Sequence, residues 1–350
     1  MDRRDKRLAN IPQKLWSLIN QIDQRQGQWI GGAQLNPQAL GRLKRSTLVT
    51  SSGASIRIEG AKLSDEDVAK LIRGLSVTKF ADRDKQEVKG YYELLENVFN
   101  SWKHIPLTEG TIKSFHKELL KYVSKDVRHR GEYKKGENRV EMFDTHGKSL
   151  GVMFEATPAY LTPKQMQELV EWTQTARKEA EIHSLIIIAN FLVEFLAIHP
   201  FQDGNGRLAR ILTSLLMLKT GYAYVPYVSH EKLIEDNKAD YYLALRQSQA
   251  TLKTKPDDVT AWLEFFLTIS LAQAKQAIKL LSRENIEKLL SPKQLAVWHY
   301  LEKVPEVTPA AIAQATGVAR PTVSQALDVL LRLKKVERIG QGRTTRYRKM

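Results

Sequence analysis

The chain has 350 residues, enough for two or three domains, and its 42% hydrophobic content excludes a disordered tail. It contains no cysteine, which excludes disulfide frameworks, Cys-ligated zinc, iron–sulfur clusters and thiol nucleophiles. The formal net charge of +15 indicates a polyanionic partner such as nucleic acid, nucleotide phosphate or anionic lipid.

The positive charge is concentrated at the two ends of the chain. Residues 1–60 carry a net charge of +6 and residues 291–350 a net charge of +7, whereas everything between them carries +2. The first residues lack the apolar run of a signal peptide, and the most apolar stretch, Leu185 to Phe201, is interrupted by charged Glu194. We therefore expect a soluble, cytoplasmic protein without a membrane partner.

The first sixty residues contain two readable patterns. Ile11 to Ile22 has the spacing of an amphipathic helix. Further on, Ser55 and Glu59 lie four residues apart, on one face of a helical turn, and Gly60 follows where helices often end. By composition alone, Glu59 is an ordinary surface carboxylate beside Arg57.

The middle of the chain is predicted to be mainly helical. Leu185 to Ile198 is apolar almost all round, which predicts a helix buried on every side. Only Arg139–Phe143 and Ser149–Phe154, on either side of Gly147, have a strand pattern, and together they predict a short hairpin. Apolar periodicity and capping signals predict further helices at 64–74, 86–101, 108–123, 162–178, 207–220, 239–252 and 258–281.

The residues after the buried helix are suited to binding phosphate. A proline ends that helix, and a glycine-containing turn opens the next one at about Arg207. A helix N-terminus presents unpaired N–H groups and a partial positive charge, and glycines let a phosphate approach the backbone closely. The run reads His199-Pro200-Phe201-Gln202-Asp203-Gly204-Asn205-Gly206-Arg207-Leu208-Ala209-Arg210.

Several side chains of this run supply the groups that nucleotide chemistry needs. Asp203 offers oxygen ligands suited to Mg²⁺, Arg207 and Arg210 can neutralise phosphate oxygens, and His199 can accept a proton near neutral pH. Taken singly, His199 is better explained as a partner of helix-terminal carbonyls, and residues 203–206 as an ordinary turn. The complete set in this order favours a nucleotide site.

The run resembles HPFx(D/E)GNGRxxR, the signature of Fic-domain proteins, at all nine specified positions. Most members transfer AMP from ATP to a hydroxyl side chain of a target protein, on a helical core that would span about 85–280 here. Phe115-His116 through Gly131-Glu132-Tyr133 resembles the family's run before its β-hairpin flap. Tyr241-Tyr242 resembles the tyrosine pair that contacts adenosine, although core aromatics are an equally good explanation. A branch that transfers phosphocholine keeps a similar motif.

The resemblance implies a role for each motif residue. His199 would deprotonate the target hydroxyl, which attacks the α-phosphate of ATP and releases pyrophosphate, while Asp203 would hold Mg²⁺ between the phosphates. Glycine at 206, where the kinase-like branch has lysine, favours AMP transfer over phosphorylation. The ATP-binding residues carried over are Glu59, Leu150, Gly151, Val152, Met153, Asp203, Gly204, Asn205, Gly206, Arg207, Arg210 and Tyr241.

Two further expectations come from the same resemblance. The flap, Leu150 to Met153, would align a target segment by backbone pairing, and the alternative is an exposed hairpin with no partner. Ser55, Glu59 and Gly60 match the [S/T]xxxE[G/N] inhibitory motif, so Glu59 would pair with Arg210 and leave ATP in an unreactive pose. Some relatives use this glutamate to hydrolyse the AMP–protein bond, which leaves AMP removal open. N-terminally inhibited relatives often dimerise, so the resemblance leaves a homodimer open.

From Ser291-Pro292 the pattern changes to three short helices and a hairpin around Gly340-Gln341-Gly342, which resembles a winged helix-turn-helix. Residues 332–350 hold eight Lys or Arg against the single acid Glu337, which favours DNA as the partner. The alternative is a protein-interaction or dimerisation module. The residues expected to contact DNA are Arg320, Thr322, Ser324, Gln325, Arg343 and Arg346, with Arg348 and Lys349 adding to the wing.

We therefore predict a mainly α protein in three parts. Residues 1–84 form a helical region with the inhibitory motif, residues 85–281 a Fic-like core with a small β-hairpin flap, and residues 282–350 a linker and winged helix-turn-helix. The predicted function is an autoinhibited protein adenylyltransferase that uses ATP and Mg²⁺. The alternative is a DNA-binding regulator whose Fic pocket senses nucleotide.

Overall fold

In the computed structural model, the chain divides into two compact units, residues 1–278 and residues 279–350. The structure describes residues 2–32, 37–74, 82–137, 139–143, 149–333, 335–340 and 345–350. The fold is mainly α, as predicted, and the described strands form two separate two-stranded antiparallel sheets. None of the described helices combines the length and the apolarity needed to cross a membrane. The predicted boundaries after residues 84 and 281 stay predictions.

The first unit consists of helices and one hairpin. β1 (Arg139–Phe143) pairs antiparallel with β2 (Ser149–Glu155), in agreement with the predicted hairpin. The helices in chain order are α1 (Arg3–Leu8), α2 (Gln13–Gly32), α3 (Pro37–Ile58), α4 (Asp65–Ile72), α5 (Asp82–Ser101), α6 (Glu109–Leu119), α7 (Thr162–Glu179), α8 (Ser184–Ile198), α9 (Asn205–Lys219), α10 (His230–Asp236), α11 (Lys238–Thr251) and α12 (Thr260–Leu289), which continues past residue 278.

Helix α8 is the centre of this unit, because its side chains are almost all apolar and nearly all buried. It packs against α7, α9 and α11, and the indole N–H of Trp262 donates to the carbonyl of Ala189 at 2.7 Å. The chain leaves α8 at His199, whose left-handed backbone ends the helix. Since α9 begins six residues later, at Asn205, the core fixes both sides of the short motif loop.

Of helix α3, the sequence pattern predicted only the last turn around Ser55, and it did not predict α1, α10 or the second half of α2. Helix α3 carries small polar residues on its buried side, so it lacks the apolar periodicity of an amphipathic helix. These hydroxyls have hydrogen-bond partners inside the unit. Ser52 donates to the Leu48 carbonyl in its own helix at 2.7 Å, and Ser51 donates to the distant Ser229 hydroxyl at 2.8 Å. Helix α3 packs against α5 and α10.

The basic residues of α1 explain part of the charge at the start of the chain. The Arg7 side chain is only 1% exposed, and its guanidinium lies 2.7 Å from Glu194 and 3.1 Å from Asp257. Arg3 contacts the same two carboxylates at 2.8 and 2.7 Å. This positive charge is neutralised inside the unit by acids of the core, so it offers little to an external polyanion.

The second unit has three helices and a hairpin in its described part: α13 (Pro292–Leu301), α14 (Pro309–Thr316), α15 (Arg320–Arg332), β3 (Val336–Ile339) and β4 (Arg346–Lys349). Ser291 and Thr308 accept N-cap hydrogen bonds from the first turns of α13 and α14, as their sequence positions predicted. Val323, Leu327 and Leu330 bury one face of α15. The turn residues 341–344 lie outside the described residues.

The contact between Arg7 and Glu194 predicts a large stability effect. Arg7→Met should lower the free energy of unfolding by about 3 kcal/mol, because it removes a buried partner of a carboxylate that is itself only 2% exposed. Adding Glu194→Gln should recover part of the loss, since Arg3 then has to neutralise only one of the two carboxylates that it shared with Arg7. Urea denaturation followed by circular dichroism measures both effects.

The matched control is Lys14→Met, which breaks an exposed ion pair with Glu264 at 2.6 Å and should cost under about 0.5 kcal/mol. If Arg7→Met costs no more than Lys14→Met, the N-terminal ion cluster does not stabilise the fold.

Candidate functional site

The motif loop places His199 at the end of α8 with its imidazole oriented by the helix terminus. Its backbone has φ of 50°, and Nδ1 lies 3.3 Å from the carbonyl oxygen of Leu196. With Nδ1–H donating to that carbonyl, the proton-accepting lone pair of the ring is on Nε2. Burial lowers the pKa of His199 to about 4, so the ring is neutral and able to accept a proton at pH 7.

Two side chains hold the motif loop in shape. Asn205 accepts from the Phe201 amide at 2.9 Å and donates to the Phe201 carbonyl at 2.8 Å, which closes the loop at its base. His116 stacks on the Phe201 ring and accepts from the Gly131 amide at 2.9 Å through Nδ1. Its Nε2–H therefore donates to the carbonyl of Asp203 at 3.0 Å. Because the side chain of Asn205 bonds both backbone groups of Phe201, Asn205 would bind an anion through its backbone N–H.

The glycines of the loop are required by geometry. Gly204 has φ of +80° and forms the N-cap of α9. A Cβ at Gly206 would lie 2.6 Å from the Glu59 carboxylate and 3.4 Å from Nη1 of Arg210. A side chain at this position would force the carboxylate or the guanidinium to shift, so Gly206 allows their present contact beside the helix N-terminus. The helix begins two residues before the predicted start at Arg207.

Arg210 connects α9 to the end of α3. Its Nη2 donates to Glu59 at 2.7 Å and to the carbonyl of Ser55 at 2.9 Å, and its Nε donates to the Ser55 hydroxyl at 2.8 Å. Glu59 and Gly60 form the turn after α3, and Gly60 has φ of +110°. The pairing of Glu59 with Arg210 that the resemblance implied is therefore present in the structure. Burial raises the pKa of Glu59, but Arg210 and Arg207 outweigh it and hold that pKa below its usual value.

A second group of charges lies at the other side of the loop. Arg207 is buried, and it contacts Glu87 of α5 at 2.6 Å and Asp203 at 2.9 Å. Arg83, also on α5, donates to the same oxygen of Asp203 at 2.6 Å. Burial raises the pKa of Asp203, but the guanidinium of Arg207 outweighs it, so Asp203 stays ionised. Glu87 and Arg83 had no motif to mark them, and only the fold brings them to the loop.

At the motif, three buried guanidinium nitrogens have no hydrogen bond to the described residues. They are Nε and Nη1 of Arg207 and Nη1 of Arg210. Nη1 of Arg207 lies in the ion pair with Glu87, whereas Nη1 of Arg210 faces Gly206. Buried donors of this kind are costly unless an acceptor completes them. A phosphate at the start of α9 would supply that acceptor, so the cradle and the two arginines fit an anion.

Asp203 is the motif residue whose chemistry fits Mg²⁺. Among the described residues, no three acidic or histidine side chains converge to hold a metal ion by themselves. Mg²⁺ commonly uses one or two carboxylates and takes its other ligands from phosphates and water. The ionised carboxylate of Asp203 beside the anion cradle fits such a Mg²⁺ ion arriving with a nucleotide.

The tyrosine pair lies beside Arg210. Tyr241 is buried, and its ring packs edge-on against Trp262, with the centroids 5.8 Å apart. Tyr242 donates its hydroxyl to the carbonyl of Ile58 at 3.4 Å, which ties α11 to the end of α3. Tyr241 therefore packs as a core aromatic next to the anion site, which is compatible with both explanations given for it.

The hairpin has a strand edge that no other described strand pairs with, and β2 also lies close to α11. In β2, Gly151 pairs with Met142 and Val152 with Glu141, so Leu150 to Met153 belong to the strand that the flap prediction requires. The sheet has two strands, and β1 is the only described strand that pairs with β2. The other edge of β2 can accept a further strand by backbone pairing.

Lys134 is a further residue near His199 that the sequence did not single out. It is buried, its ammonium donates to the carbonyl of Ile198 at 3.1 Å, and its backbone amide donates to that of Pro200 at 2.9 Å. Burial lowers the pKa of Lys134 to about 8. The backbone on both sides of His199 is thus held by one lysine.

In the second unit, the candidate DNA-contacting residues fall on one helix and one strand. Arg320, Ser324 and Gln325 are exposed in the first turns of α15, and Thr322 is half-buried. The basic strand β4 is partly neutralised, because Arg346 and Arg348 lie 3.8 and 3.9 Å from Glu306. Arg348 also contacts Glu337 at 2.5 Å, and Lys349 contacts Glu302 at 2.9 Å. Arg343 lies outside the described residues.

Comparison with known proteins identifies both units. The chain is 25% identical over 186 residues to a probable protein adenylyltransferase of Aquifex aeolicus, covering 51% of each chain. It is 26% identical over 211 residues to the protein adenylyltransferase fic-1 of Caenorhabditis elegans, covering 59% of this chain and 38% of that one. The chain thus spans about half, or less, of the length of these curated relatives.

Solved structures and family profiles agree with these relatives. A Fic family protein from Desulfovibrio desulfuricans aligns over 97% of both chains, with 25% identity and a TM-score of 0.64. The Fic/DOC family profile matches residues 106–217, and the MarR family profile matches residues 290–346. Both resemblances predicted from the sequence are confirmed. The chain therefore carries a Fic/DOC family domain followed by a winged-helix domain of the MarR family.

Proposed function

We propose that the first unit is an autoinhibited protein adenylyltransferase that transfers AMP from MgATP to a hydroxyl side chain of a target protein. The observation that carries this proposal is the ion pair of Glu59 with Arg210 beside the glycine cradle. Curated relatives named as protein adenylyltransferases support the same chemistry.

The reaction follows from where the motif residues lie. Nε2 of His199 takes the proton of the target hydroxyl, the hydroxyl oxygen bonds to the α-phosphorus, and the bond to pyrophosphate breaks. Asp203 would hold the Mg²⁺ that accompanies ATP, which would help to neutralise the phosphates, and Arg207 and Arg210 would donate to phosphate oxygens at the start of α9. Catalysis then depends on the positioning of the target hydroxyl and of ATP, and on the electrostatic stabilisation of the negative charge that develops on the phosphates. The edge of β2 that no described strand pairs with supports backbone pairing with the target segment.

The proposed brake acts by occupying a phosphate-binding cation. Glu59 accepts a hydrogen bond from Nη2 of Arg210 that a γ-phosphate oxygen would otherwise accept. The negative charge of Glu59 also repels that phosphate. Because Arg210 and Arg207 keep Glu59 ionised, protonation near neutral pH does not release the contact. Release therefore requires displacement of the Glu59 side chain. Activation of water by the same carboxylate would instead hydrolyse the AMP–protein bond and release AMP and the free target hydroxyl.

The first prediction compares two substitutions. Glu59→Gly should raise AMP transfer roughly ten-fold or more. Without the Glu59 carboxylate, Arg210 can give its charge-assisted hydrogen bond to a phosphate oxygen instead. His199→Ala, alone or added to Glu59→Gly, should abolish transfer. Incorporation of α-phosphate label from ATP into lysate proteins measures both variants.

Glu179→Gly, which removes an exposed carboxylate at the end of α7, is the control and should transfer at the wild-type rate. An unchanged rate in folded Glu59→Gly protein would refute the brake. Tight ATP binding without transfer in any variant would instead favour a nucleotide-sensing regulator.

The pKa of His199 predicts the pH profile of the reaction. With that pKa at about 4, the base stays unprotonated, so kcat/KM should be nearly level from pH 8 to pH 5.5 and fall only as pH approaches 4. A solvated histidine with a pKa near ~6.5 would lose activity about ten-fold by pH 5.5. The measurement uses Glu59→Gly at saturating Mg²⁺, with circular dichroism to confirm the fold at each pH. A midpoint near ~6.5 would contradict the buried neutral base.

We infer a second function, DNA binding, for the second unit. The exposed Arg320, Ser324 and Gln325 at the start of α15 support it, as does the match of this region to the MarR family. The acidic partners of β4 limit how much charge the wing offers to phosphates. DNA binding would therefore depend on α15 and be tuned by Glu306.

This arrangement predicts opposite effects for two substitutions. Arg320→Ala should weaken DNA binding, whereas Glu306→Gln should strengthen it and steepen its salt dependence by about one phosphate contact, because Arg346 and Arg348 lose an acidic neighbour. Gel retardation across a series of KCl concentrations measures both. Glu179→Gln makes the same charge change on the first unit, should leave DNA binding unchanged, and is the control. No retardation of any DNA at low salt would favour the protein-interaction alternative.

A further inference from the structure

The carboxylate of Asp203 is surrounded by donors in this structure. Its Oδ1 accepts from the Gly204 amide at 2.6 Å, and its Oδ2 accepts from Arg83 at 2.6 Å and from Arg207 at 2.9 Å. Each carboxylate oxygen has about two lone-pair positions, so Oδ2 is fully used. A divalent cation at this carboxylate would also be repelled by two guanidinium groups that touch it. Ligation of Mg²⁺ through Oδ2 therefore requires at least one arginine to move, and ligation through Oδ1 would still place the ion close to both guanidinium groups.

Burial decides which arginine moves. The Arg207 side chain is 4% exposed and is held by Glu87 at 2.6 Å, so it has no room to leave. The Arg83 side chain is 45% exposed and lies near the start of α5. Its remaining partners, Glu87 at 2.9 Å and Asp126 at 3.5 Å, stay within reach after it releases Asp203. Arg83 can therefore release Asp203 without leaving a buried charge unpaired.

We propose that Arg83 occupies the Asp203 carboxylate in competition with Mg²⁺, and thereby sets the Mg²⁺ concentration at which the site binds nucleotide. This inference rests on the proposed function, since it concerns the metal that accompanies ATP. Arg83 is a positioning residue that acts through Asp203. It differs from Glu59, which is an anion that competes with phosphate at the opposite side of the cradle.

A different role for Arg83 would have the opposite signature. An exposed arginine next to a phosphate site can itself bind the outer phosphates. In that case its removal weakens nucleotide binding even when Mg²⁺ is saturating. Competition with Mg²⁺, by contrast, predicts that its removal lets the same binding occur at a lower Mg²⁺ concentration.

The experiment measures binding of α,β-methylene-ATP, which cannot release pyrophosphate, to the full chain by calorimetry over a series of MgCl₂ concentrations. Arg83→Gln should lower the half-saturating Mg²⁺ concentration about two- to five-fold, the range expected for loss of a partly exposed ion pair. Arg83→Lys keeps a cation without the forked geometry and should lie between Arg83→Gln and the wild type. Arg73→Gln removes an exposed arginine of the first unit that bonds its own helix, and should change nothing.

An unchanged or higher Mg²⁺ requirement in Arg83→Gln overturns the inference, and so does weaker binding at saturating Mg²⁺. Arg83→Lys applies the same test if Arg83→Gln fails to fold by circular dichroism. If the wild type shows no Mg²⁺-dependent nucleotide binding, the proposed function fails together with the inference. If Glu59→Gly transfers AMP while Arg83→Gln leaves the Mg²⁺ requirement unchanged, only the inference fails.

Discussion

The guanidinium of Arg210 is the contact on which the arrangement of the site depends. It is buried, and it joins α9, the helix that begins the anion cradle, to the end of α3 through Ser55 and Glu59. Its present contact with the carboxylate depends on the absence of a side chain at Gly206. One cation thus links the N-terminal helices to the motif, and its unbonded Nη1 leaves one donor for an anion.

The charges of the site are arranged in two groups, one on each side of the loop. On one side, Glu59 of the α3 end faces Arg210, and on the other, Glu87 and Arg83 of α5 surround Arg207 and Asp203. Every cation that the proposed reaction needs for phosphate is therefore paired with a carboxylate of the protein before a nucleotide arrives. Under the proposed function, binding would be an exchange of partners, and the site would favour ligands that bring both phosphate and a divalent cation.

The sequence predicted the motif loop, the buried helix before it, the hairpin and the winged helix, because each has a strong local signal. The motif is a contiguous run, α8 is apolar all round, and Ser291 and Thr308 are helix caps. Only the last turn of helix α3 was predicted, because serines interrupt the apolar pattern on its buried side and the bond of Ser51 to Ser229 exists only in the folded chain.

The residues that the sequence missed share one property, which is that their partners are distant along the chain. Arg83 and Glu87 precede Asp203 and Arg207 by more than a hundred residues, and their role depends on how α5 packs against α9. His116 and Lys134 form hydrogen bonds with backbone carbonyls in and beside the loop, and a motif of side chains does not predict such contacts. The N-terminal charge was also misleading by itself, since Arg3 and Arg7 are neutralised within the core.

The end of α3 is fixed by more than its contact with Arg210. Arg57 forms an ion pair with Glu235 of α10 at 2.5 Å and another with Asp65 at 3.0 Å, and Ser51 is bonded to Ser229. The segment that carries Glu59 is therefore assembled together with the surrounding helices. Under the proposed function, a newly made chain acquires its restraint in the same step as its fold. The folded chain would then never exist without the contact of Glu59 with Arg210. Activation would require a later signal from outside the domain.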